Sequence, residues 1–172
     1  MNNYDREDIY EYNELEKIID IKSIYEGFCI NSYVNILKLC IDFILNELLT
    51  KDNLEKLNID SEAEQKARHY MFQARAYFIE KTISNKILEK ERISCWEEET
   101  KYSSESISCW KKNENELLFR LIVCFLYDEK LILEGSESAQ DPELFIIFAC
   151  LNDLGSGYCK QLRLFLQKNL IQ

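Results

Sequence analysis

Nucleophilic catalysis of the Ser-His or Cys-His kind needs a base within reach of a hydroxyl or thiol, and this chain offers a single histidine, His69. His69 follows Arg68 in an alanine-rich segment. The acids nearest before it, Glu62 and Glu64, fall on other helix faces or too far along to orient its ring. The expected role is therefore a helix-surface or half-buried side chain. Zinc would call for close Cys or His pairs such as C-x2-C, because two ligands from one tight turn ease closure of the site. The seven cysteines, Cys29, Cys40, Cys95, Cys109, Cys124, Cys150 and Cys159, are spaced too widely for that. A phosphate loop would need clustered glycines followed by lysine, whereas Gly155 and Gly157 stand without one. A bundle-core metal site built on Glu-x-x-His is missing too, since Lys66 occupies the position three before His69. The expectation is no enzyme, no cofactor and no metal.

What the sequence does carry is a repeated tetrapeptide. Ile93-Ser94-Cys95-Trp96 recurs as Ile107-Ser108-Cys109-Trp110, and the two copies contain the only two tryptophans. Tryptophan is over-represented at interface hot spots. A separation of fourteen residues is close to four helical turns, which puts the copies on nearly one face of a continuous helix. Alternatively, a turn near Tyr102-Ser103-Ser104 folds them level with each other at one end of a bundle, serines there favouring caps and turns. Either way Trp96, Trp110 and Tyr102, bordered by Glu97, Glu98 and Glu99, form a candidate partner-binding patch. Ordinary packing near helix ends is the competing explanation. A redox pair of Cys95 and Cys109 is a weaker idea, because nothing nearby lowers a thiol pKa.

These residues must be positioned by helices. Four glycines and one proline in 172 residues disfavour many turns and long irregular regions. The expected fold is all-α: one domain over residues 1–172, a bundle of about six helices. The first is an acidic N-terminal helix within residues 1–26, either docked on the bundle or peripheral. The next runs from a cap at Asn31 or Ser32 to about Leu49. Its polar residues Asn35, Lys38, Asp42 and Asn46 share one narrow stripe, so it should be central. Ser61 with Glu64 reads as a capping box. With no glycine or proline between Ser61 and Gly135, a long central helix is expected near residues 61–91. Asn113 and Glu116 form a weaker capping pair before the apolar run Leu117 to Tyr127, relieved by Arg120. Gly135 reads as a stop and residues 134–140 as a loop. Asp141-Pro142-Glu143 is a clear helix start, Gly155 ends that helix, and a last helix from about Tyr158 should turn Lys160, Arg163 and Lys168 to solvent.

The formal charge is −10 with a pI near 4.7. Half of that charge lies in the first 26 residues, where Asp5, Glu7, Asp8 and Glu11 form a candidate acidic surface. Such a balance leaves no basic surplus for phosphates, so nucleic acid is not an expected ligand. A protein partner with a basic surface is. No signal-like segment opens the chain and no stretch is apolar enough to span a bilayer. An odd number of cysteines set among apolar residues suits free thiols in a reducing, cytoplasmic setting. In size, acidity and helical character the chain resembles two groups of small binding proteins: bacterial immunity proteins, and viral helical proteins that block host signalling, some with a Bcl-2-like bundle. Asn-Trp-Gly-Arg, which would mark the second group, is absent. The resemblance implies stoichiometric binding of another protein, as an inhibitor or immunity-type protein. Alternatives are a structural subunit or homodimer and, least favoured, a carboxylate-dependent enzyme.

Overall fold

A computed structural model describes residues 10–11, 13–15, 17, 30–104, 113–132, 143–155 and 157–170. Among them there are helices and turns and no strand. α1 spans Ile30–Phe43 and runs on through a wider π-helical turn, Ile44–Leu48. Its stripe of Asn35, Lys38, Asp42 and Asn46 faces outward, while Leu37, Cys40, Ile41, Phe43 and Ile44 are buried. α2 is a short helix, Lys51–Lys56. α3 spans Ser61–Arg75 and also widens into a π turn, Ala76–Glu80.

The continuous helix expected over residues 61–91 is broken. Lys81 adopts the left-handed conformation (φ 57°, ψ 34°), and the Ala76 carbonyl accepts both the Lys81 and Thr82 amides. A new helix, α4, then starts at Asn85 and reaches Ser104. The amides of Ile87 and Leu88, in the first turn of α4, donate back to the Ser84 carbonyl. Lysine pays about 1 kcal/mol for a left-handed backbone, and tertiary contacts of its side chain hold it there. Its ammonium sits 3.2 Å from Glu129 and 5.3 Å from the centre of the Tyr77 ring. Because α3 and α4 are separate, they fold back antiparallel. Lys66 pairs with Glu98, His69 with Glu91 and Lys101 with Glu62 across the seam.

The α3 start also differs by one residue from the expected capping box. Asp60, in extended conformation, caps the helix by accepting from Ala63 N–H at 2.7 Å, and Glu64 turns to Arg68 instead. α5, Glu114–Val123, is capped by Asn113, whose side chain accepts from Asn115 N–H at 2.8 Å. It is the most enclosed helix. Every residue from Asn115 to Leu126 is buried except Arg120, and α5 touches α3, α4 and α6. α6, Glu143–Leu154, stops at Gly155, and α7 runs Tyr158–Leu170. The expected stop at Gly135, the loop at 134–140 and the start signal at Asp141-Pro142 lie outside the described residues.

α7 closes the bundle against α6 and α1. Tyr158, Leu162 and Leu166 face the core. Arg163, expected in solvent, is instead largely buried. Its guanidinium grips Glu11 through two nitrogens, Nη2 to Oε1 at 3.2 Å. Glu11 is only 8 % exposed and neighbouring Leu15 is fully buried, so this part of the N-terminal segment lies against the bundle.

Candidate functional site

The expected patch can be followed residue by residue along α4. A helix buries one stripe and exposes the other, and here Leu88, Cys95 and Tyr102 turn inward while Ile93 and Trp96 turn outward. Trp96 is 39 % exposed and Ile93 54 %. Glu97, next to Trp96, is exposed as well. Glu98 is mostly covered by its ion pair with Lys66 at 2.7 Å, and Glu99 is partly buried. Tyr102, assigned to the patch from sequence, is 6 % exposed. It stacks on Phe119 with ring centres 5.6 Å apart, and its hydroxyl donates to Asp60 at 3.1 Å. A side chain so enclosed has no surface left to present. Trp110 lies outside the described residues. The turn expected at Tyr102-Ser103-Ser104 is not there, because α4 continues as helix through Ser104.

Beside Trp96 there is a groove of about 190 Å³. Its walls are Trp96 from α4, Val123 from the end of α5, Cys124 and Tyr127 from the turn that follows, and Ile146 from α6, with Arg120 contributing the one charge. Geometry explains the mixture. Arg120 sits on the single face of α5 that escapes burial, so the same side of that helix delivers Arg120, Val123, Cys124 and Tyr127 at spacings of three and four. Arg92, one turn before Trp96, stacks its guanidinium 4.9 Å from the centre of the Tyr127 ring. The rim therefore carries one arginine, Arg120, over an apolar floor, with Arg92 stacked on the Tyr127 ring beside it. Lys66, Arg68, Arg75, Lys81 and Arg163 all have carboxylate partners. Among the described residues no carboxylate lies within ion-pair distance of Arg120.

Of the expected acidic surface, Asp5, Glu7 and Asp8 lie outside the described residues. Glu11 does not contribute to an open acidic face, because Arg163 neutralises it in a buried pair. His69 does meet a carboxylate, though not one at helical spacing: Glu91 reaches it from α4, 2.8 Å from Nε2. The reactive-thiol idea for Cys95 loses support, since burial, followed by the nearby Glu98, Glu99 and Glu91 charges, pushes that thiol's pKa up. Cys109 lies outside the described residues. No group of three or more His, Cys, Asp or Glu side chains among the described residues could hold a metal ion. None of the described helices is long and apolar enough to cross a membrane.

Arg120, Val123, Cys124, Tyr127 and Ile146 are groove residues that the sequence does not single out as site residues. Arg120 did leave a trace there, as the lone charge in an otherwise apolar run, and such a charge marks where a buried helix meets the surface. Comparison with models of protein families, with curated proteins and with solved structures gives no match.

Proposed function

We propose that this chain acts by stoichiometric binding of another protein and that the Trp96 groove is its contact surface. The supporting observation is the half-exposed Trp96 on the lip of an apolar groove. Large aromatic side chains next to a concave apolar wall supply most of the energy at protein interfaces. Long-range attraction comes from elsewhere. A net charge of −10 favours encounter with a partner of net positive charge and accelerates association more than it tightens the complex. Such a protein would work as an inhibitor or immunity-type protein does, by occupying its partner.

The test is capture from the native source with wild type and Trp96→Ala compared side by side. Truncating a central tryptophan should weaken binding by about 2 kcal/mol or more, enough to lose the partner after washing. Helicity by circular dichroism should be unchanged, because Trp96 is not a core residue. If both forms retain the same proteins equally, the groove is not the interface. Sizing at two concentrations tests the alternative of an obligate homodimer, which would persist on dilution.

A further inference from the structure

The rim of the groove carries the opposite sign from the molecule as a whole, and that contrast identifies what fits. From the charge and size of the groove, and resting on the binding role proposed above, we infer that the inserted part of the partner is a single large apolar side chain accompanied by a carboxylate that pairs with Arg120. About 190 Å³ is small beside the roughly 300–1,000 Å³ of small-molecule sites. It suits one anchoring side chain. The floor of Val123, Cys124 and Ile146 with the Trp96 and Tyr127 rings accepts an apolar body of either aromatic or branched aliphatic type. Arg120 is exposed, and its guanidinium is suited to gripping a carboxylate through two hydrogen bonds. Arg92 is held against Tyr127 and adds positive potential on the same side.

The acidic net charge does not contradict this. Charges further apart than the Debye length, about 8 Å at physiological salt, are largely screened, so the overall −10 acts during approach while Arg120 on the rim acts at contact. A partner with net positive charge can still present an acidic residue next to its anchor. A basic residue beside the anchor would meet the Arg120 guanidinium.

Two small probes isolate this contact: 3-phenylpropionate and 3-phenylpropylamine, which share an apolar body and differ in the sign of the head. Each is titrated at millimolar concentration into the full chain, following the Trp96 indole N–H and the Val123 and Ile146 methyl resonances by NMR. The carboxylate should bind about three- to fivefold more tightly than the amine, the size of an exposed ion pair. Arg120→Glu should reverse that order and Arg120→Gln should abolish the preference. Arg120 is on the surface of α5, so both variants keep the wild-type far-ultraviolet spectrum. Equal binding of the two probes by wild type, or tighter binding of the amine, overturns the carboxylate inference and leaves the groove as an apolar contact. If neither probe shifts any groove resonance, the inference fails together with the groove's role as an anchor site. The Trp96→Ala capture then reports separately on whether Trp96 touches a partner at all.

Discussion

The Asp60 carboxylate serves three donors at once: the Ala63 amide at 2.7 Å, the Tyr102 hydroxyl at 3.1 Å and the Asn115 side-chain amide at 2.9 Å. A helix cap thereby becomes a joint between the start of α3, the end of α4 and the start of α5. Tyr102 and Asn115 are themselves buried, so removing the acceptor strands polar groups away from water as well as uncapping a helix. Asp60→Ala should lower stability by about 2 kcal/mol, and Asp60→Asn, which keeps the capping oxygen, by less. Urea unfolding reads both, and an Asp60→Ala midpoint equal to wild type would show that the joint contributes nothing. Helix phase puts Tyr102 and Trp96, six residues apart, on different faces of α4, and the Asp60 contact satisfies the Tyr102 hydroxyl once that face is buried.

At the scale of elements, two joints hold parts that local sequence would leave loose. The first is the break at Lys81, held by Glu129, which binds the Lys81 ammonium and accepts from the Tyr77 hydroxyl. The second is the bidentate pair between Glu11 and Arg163, where both side chains are mostly shielded from solvent. Removing one member of such a pair leaves a charge buried without compensation, which costs about 3 kcal/mol, whereas replacing both with apolar residues is close to neutral. Arg163→Ala should therefore destabilise strongly and speed hydrogen exchange around Leu15, and Glu11→Leu/Arg163→Leu should recover most of the loss. A double variant as unstable as the single one would show that the pair is not what docks the N-terminal segment.

Across the whole molecule, charge and burial combine into a pH profile. Burial alone would raise the Glu129 carboxyl pKa, but hydrogen bonds from Tyr77, its own backbone amide and Lys81 hold it below the usual value. The Lys66 hydrogen bond and the nearby Lys101 charge lower Glu62 likewise. Carboxyls with depressed pKa stabilise the fold fully above the ordinary glutamate value of 4.5, and this is lost as pH falls through their lower folded values. At the alkaline end the sign is reversed. Burial, and then the Asp60 contact, push the Tyr102 hydroxyl from 10.0 up to about 12, and burial alone lifts the Cys40 thiol from 9.0 to about 12. Their contribution is complete below those ordinary values and disappears as pH climbs towards about 12. Melting temperature against pH should be flat near neutrality and fall at both ends, and Tyr102→Phe should lessen the alkaline slope. An unchanged slope in that variant would remove Tyr102 from the account.

The helical fold was legible in the sequence because its signals are local. The stripe of Asn35, Lys38, Asp42 and Asn46, the Asn113 cap, the Gly155 stop and the apolar run of α5 each need only neighbours along the chain, and each corresponds to an observed element. Trp96 could likewise be picked out by its rarity and its repeat. The break at Lys81 could not, because a lysine in the left-handed conformation carries no local mark and is held by Glu129, forty-eight residues away. Nor could the burial of Tyr102, which depends on Asp60 and Phe119, or the loss of Glu11 as a surface acid, which depends on Arg163. The groove was decided at that same level. Its walls come from α4, from α5 with the turn after it, and from α6, and only the packing of those helices turns an isolated tryptophan and a lone arginine into one surface.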